Sequence, residues 1–198
     1  MSIRGAHLYN VPMNRIPQLL LFAGLCGLFL AADRASAAPV NKIFDQELTM
    51  LEHELVPLAE AMPADKFNFA PTHGEFKGVR TFGQQAGHIG AVMYMVSASV
   101  LGEKVPAEAG EGENGPPSLK TKDDIVKYLK AAVAYAHKAM NSLTDANLTA
   151  MVKSPFGEGD VPRVSMASVI TWHSFDHYGQ MVVYARMNGI VPPASRQQ

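Results

Sequence analysis

A chain of 198 residues with 17 basic and 18 acidic side chains has room for one domain with a real core and too little for two comfortable ones. Its Lys and Arg form no block, which excludes a phosphate-gripping surface, so nucleic acid is not an expected partner. The only cysteine, Cys26, lies in an N-terminal apolar run, which leaves the remainder without a disulfide or a cysteine nucleophile.

Arg4 and Arg15 precede that run, from Ile16 to Ala32, and Ala35-Ser36-Ala37 supplies small residues for cleavage before Ala38. This pattern predicts a signal peptide over residues 1–37 and an exported chain, periplasmic or extracellular, over residues 38–198. The run falls short of the roughly 20 residues that span a bilayer, and Asp33 and Arg34 follow it directly, so no membrane span is expected after cleavage. Cleavage removes three arginines and Asp33, leaving 14 basic and 17 acidic side chains and a net charge of −3.

Four segments have helical periodicity. Over residues 41–62, Phe44, Leu48, Leu51, Leu55, Leu58 and Met62 alternate four and three apart, with Pro57 inside as an expected kink. The stretch 63–79, with Phe67 and Phe69, predicts an irregular loop whose aromatics pack over one end of a bundle. The second helix opens at Thr81, which forms a capping box with Gln84, and its stripe is Phe82, Ala86, Ile89, Met93, Val96 and Val100. Its other faces are apolar or small, so it is expected to be buried nearly all round, with Gly83, Gly87 and Gly90 serving close backbone approach.

Residues 102–119, rich in Gly, Pro and Glu, predict a solvated connection. A third helix starts at Thr121 with a capping signal through Asp124, along a stripe of Ile125, Leu129, Ala132, Ala136, Ala139 and Leu143. Residues 145–162 form a loop, with a short hairpin as one option. The fourth helix covers about 165–188 and stops at Gly189, ahead of Pro192-Pro193. This is the pattern of an all-α, four-helix bundle.

The fourth helix bears the chemistry. Its stripe reads Met166, Ile170, His173, His177, Gln180 and Tyr184, so two histidines one turn apart occupy places that leucines take elsewhere. His88 lies on the second helix, where no charged residue falls between Arg80 and Glu103. Burying unpaired polar groups costs on the order of 1–3 kcal/mol each. A divalent cation shared by His88, His173 and His177 offsets that cost, and three protein ligands leave a position open for water or substrate.

Three motifs carry a family resemblance: Arg80-Thr-Phe-Gly-Gln-Gln-Ala-Gly-His88, His173-Ser-Phe-Asp-His177-Tyr-Gly-Gln180, and Tyr184-Ala-Arg186-Met-Asn-Gly189-Ile-Val-Pro-Pro. Across nearly the whole mature chain the sequence resembles the DinB-like superfamily of damage-inducible and YfiT-like metalloproteins. The resemblance implies a four-helix bundle whose metal ligands are one histidine of the second helix and an HxxxH pair on the last, here His88, His173 and His177. Imidazole donors suit zinc, nickel, copper and iron, so a divalent transition metal, zinc or nickel foremost, is the expected cofactor.

Characterised relatives include thiol-dependent transferases and isomerases, which implies a metal-dependent transferase or hydrolase that activates water or a thiol for a small-molecule substrate. Those relatives work in the cytoplasm, and the sequence shows no basic pocket for an acidic thiol, so metal-assisted chemistry in general is what carries over. Pairing of relatives through bundle faces implies a homodimer, although no face is selected by the sequence. The competing reading is a non-catalytic module of the cell envelope, in which metal or histidines only brace the bundle.

Around the trio, Asp176, Gln180 and Gln84 are candidates to orient the imidazoles, and Tyr184 is a candidate pocket wall better placed as a core tyrosine. Trp172 and Phe175 are read as packing residues off the seam. His53 and His137 are read as surface histidines, and His73 as a loop histidine that faces solvent or leans over the pocket. No catalytic residue is assigned, and neither a phosphate loop nor a GxSxG motif is present.

Overall fold

The computed structural model describes residues 37–157 and 159–196. The segment read as a signal peptide lies outside them, apart from Ala37. The four helices are α1 (Val40–Ala61), α2 (Phe82–Leu101), α3 (Lys122–Asn141) and α4 (Arg163–Met187). Between α3 and α4 a two-stranded antiparallel hairpin, β1 (Met151–Lys153) and β2 (Asp160–Pro162), pairs Val152 with Val161.

The predicted stripes are the core. Leu48, Leu51, Leu55, Leu58 and Met62 of the α1 segment are fully buried, as are Phe82, Ala86, Ile89, Met93, Val96 and Val100 of α2. Helix α1 runs on through Pro57. Both capping boxes form, Thr81 with Gln84 at α2 and Thr121 with Asp124 at α3, each satisfying N–H groups that a helix start leaves unpaired. Gly102 ends α2 in the left-handed conformation.

Helices α1 and α2 each pack against both α3 and α4, so the bundle is ringed in the order α1, α3, α2, α4. The connections α1–α2 and α3–α4 therefore cross diagonals, which gives a physical reason for their length. The first is pinned as predicted by its aromatics. Phe67 packs edge-on against Phe82 at 5.3 Å, Phe69 does the same to Tyr184 at 5.8 Å, and their carbonyls accept the N–H groups of Gly83 and Phe82.

Residues 102–121 join neighbouring helices and have more chain than the gap needs. The surplus folds back over α2; most of its residues are exposed, as its composition suggests, but a few contacts anchor it to the bundle. Ala109 is buried, and its carbonyl accepts the Tyr128 hydroxyl at 2.8 Å. A Cβ on Gly87 would stand 2.5 Å from the Asn114 carbonyl oxygen, and one on Gly90 would stand 2.6 Å from the Tyr128 ring. These glycines notch α2 so that the strap and α3 can seat against it, the close approach their positions predict. Among the described residues, no helix is long and apolar enough to cross a membrane.

Candidate metal centre

Because α2 and α4 are neighbours, His88 meets the HxxxH pair across their seam. The ring centroids lie 5.1 Å apart for His88 and His173, 4.7 Å for His88 and His177, and 4.6 Å for His173 and His177. Each ring offers one nitrogen such that all three lie within 4.8 Å of one another, so one ion could be held by them.

Two of the rings are fixed in tautomer by what their Nδ1 atoms touch. His88 Nδ1 lies 2.5 Å from the carbonyl oxygen of Glu113. A carbonyl only accepts, so Nδ1 carries the proton and Nε2 keeps its lone pair. For His177 the proton is placed by a relay that starts on its own helix. Asp176 accepts from Gln180 Nε2 at 3.2 Å, which turns Gln180 Oε1 toward Gln85. Gln85 Nε2 donates to that oxygen at 2.7 Å, leaving Gln85 Oε1 to accept from His177 Nδ1 at 2.6 Å. Since a carboxylate anchors the chain of amides, each orientation follows from the one before it.

His173 lacks such a tie: its Nδ1 is buried with no hydrogen-bond partner among the described residues. Burial lowers the proton affinity of all three rings. It holds His173 at a pKa of about 4, with the neighbouring His177 and His88 adding to the effect. For His88 burial outweighs the Glu113 carbonyl, and for His177 burial leads, followed by His88. Three neutral imidazoles, two with a defined free nitrogen and one with an orphaned nitrogen, are a donor set suited to a transition metal.

A cavity of about 470 Å³ opens beside the trio, lined by Arg80, Gln85, Glu113, Asn114, His177 and Gln180 among others. A second, of about 510 Å³, lies by the N-terminal ends of α2 and α3 and contains none of the three histidines.

Other candidates fall out differently. Gln84 is used up in its capping box, its Oε1 accepting from the Thr81 N–H, and it does not support His88. Gln85, one residue on, takes the orienting role at His177. The signal was available, since Gln85 is the only large polar residue on a buried face of α2 apart from the histidine. The Glu113 carbonyl had no signal, because backbone groups do not show in side-chain patterns.

Tyr184 is a buried core residue against Phe69. His53 and His73 are exposed, and neither joins the trio. His137 is not a plain surface residue: half-buried, it lies 2.7 Å from Asp45 and 3.1 Å from Glu52, tying α3 to α1. Trp172 and Phe175 are 59% and 37% exposed, Trp172 edge-on to His173 at 6.0 Å and Phe175 edge-on to Tyr178 at 6.2 Å.

Residues 47–181 match the family model of the DinB superfamily. Among curated proteins none matches. Two solved structures are similar in fold, both with a TM-score of 0.58. One is a DinB-like protein from Bacillus cereus, 20% identical, over 76% of this chain and 93% of that one. The other is the DinB-like protein YjoA from Bacillus subtilis, 16% identical, over 78% of this chain and 99% of that one. At such identities they speak to the fold alone. With a family match across more than half its length, the chain belongs to the DinB superfamily.

Proposed function

We propose that this protein is an exported metalloenzyme, a transferase or hydrolase, whose metal is held by His88, His173 and His177. The observation that carries the reading is the convergence of three neutral imidazoles, His177 buried and His88 and His173 half-buried, beside an open cavity. A divalent metal there, zinc or nickel, would supply Lewis acidity, lowering the pKa of a bound water to about 7 and deprotonating a bound thiol.

The chain's own residues have the complementary tasks. Glu113 and the relay through Gln85 hold two rings in the ligating tautomer. Burial keeps the rings unprotonated at neutral pH, and the amides of Gln180 and Asn114 offer hydrogen bonds to a polar substrate. Export is supported by the arginines and apolar run ahead of Ala38.

A brace-only metal needs no space beside it, so the cavity with His177 on its wall favours catalysis over the purely structural reading. His173→Ala separates the two. Under the enzymatic reading the variant stays folded by circular dichroism but loses metal-dependent turnover in a panel of esters and of electrophiles offered with a thiol. Loss of thermal stability alone, with no turnover by the parent protein, would return the site to a bracing role.

A further inference from the structure

The cavity beside the trio has an electrostatic bias that the metal reading leaves unused. Three neutral imidazoles do nothing to cancel the charge of a dication, and Arg80 adds another positive charge to the same wall. Arg80 is the only Lys or Arg lining that cavity among the described residues. The nearby acids compensate poorly. Asp176 does not line the cavity, and Glu113, which pairs with Arg80 at 2.8 Å, is 82% exposed, where such a pair is weak.

The guanidinium is also only half used. Its Nε donates to Asn114 Oδ1 and its Nη2 to Glu113 Oε2, both at 2.8 Å. No hydrogen bond from Nη1 forms among the described residues, which leaves the flat end of the fork without a protein partner. A fork of this shape matches the two coplanar oxygens of a carboxylate. A doubly charged phosphate calls for further cationic side chains, and among the described residues Arg80 is the only one lining the cavity. Amide side chains dominate the remaining wall, with Val79 the one aliphatic residue beyond glycine, so the cavity suits a short polar molecule.

We propose that this cavity binds a small carboxylate-bearing ligand, with Arg80 as the residue that selects its anionic end. The proposal deepens the metal reading and rests on it only for the ion's share of the positive charge.

The test is calorimetric titration of the full chain, with and without zinc, using succinate and its neutral counterpart succinamide. Succinate should bind at least about tenfold more tightly than succinamide, and Arg80→Met should weaken succinate roughly ten- to a hundredfold. Glu113→Gln, which removes the competing carboxylate but keeps the backbone carbonyl at His88, should tighten it. A merely structural Arg80–Glu113 tie would weaken binding in both variants, so opposite signs are the signature.

Should Arg80→Met fail to fold, Arg80→Lys serves, and retention of charge without the fork should give an intermediate loss. Equal affinity for the two probes in both forms, or shifts of the same sign in both variants, overturns the proposal. Zinc uptake, read separately, keeps the two ideas apart. A protein that takes up zinc but does not prefer succinate sinks only the carboxylate site. One that refuses zinc yet keeps an Arg80-dependent preference sinks only the metal.

Discussion

Gln85 is where a single side chain decides which nitrogen of His177 is free. Its amide can face two ways, and it faces the productive way because Gln180, held by Asp176, leaves it no other partner for its N–H group. Gln85→Leu keeps the volume and removes the acceptor. Loss of an orienting partner of this kind typically lowers metal affinity about 10–100-fold, so zinc competition against a chelator should show that fall while the helix content is retained. An unchanged affinity would mean that the relay is idle.

At this scale the histidine trio could be read from the sequence, because imidazoles on a leucine stripe have few places to go. The supporting residues were less readable. Counting one turn back from His88 selects Gln84, yet that position is drawn into the α2 cap, and the orienting amide comes from the adjacent residue and serves a different ring.

Helix by helix, the apolar period located all four elements and both capping boxes. The strap over 102–121 is largely solvated, as read, but its anchoring contacts escaped because Gly, Pro and Glu usually mark chain that touches nothing. Here the same glycines permit contact: Gly110 and Gly115 have φ of 75° and 82°, and Gly87 admits the Asn114 carbonyl. The strap matters to the centre because Glu113, at its middle, meets His88 through its backbone and Arg80 through its side chain. Gly87→Ala should therefore do two things at once. Overpacking against a backbone oxygen should cost about 1–3 kcal/mol in urea denaturation. Displacement of Glu113 should also weaken zinc binding, although residue 87 is not a ligand. A stability loss with undiminished zinc affinity would show that the strap does not position His88.

For the whole molecule, the partial burial of three neutral imidazoles makes the metal-free protein sensitive to acid. His173 titrates at about 4 when folded, against an ordinary value of 6.5, and its two neighbours are shifted the same way. The unfolded chain then binds more protons between those values, so this contribution is fully present above pH 6.5 and is lost as pH falls toward 4. The melting temperature of metal-free protein should drop between pH 7 and 5, ahead of the exposed carboxylates Asp124 and Glu103, whose pKa values are lowered from 3.8 and 4.5. His173→Gln should flatten that drop, and an equally steep loss in the variant would place the acid sensitivity elsewhere.

All of this chemistry depends on whether an ion is present. Elemental analysis of the gently purified full chain addresses that most directly. The account predicts close to one equivalent of zinc, nickel or another divalent transition metal per chain, falling to near zero in His177→Ala. Protein that emerges metal-free, and takes up none on dialysis against zinc or nickel, would contradict it.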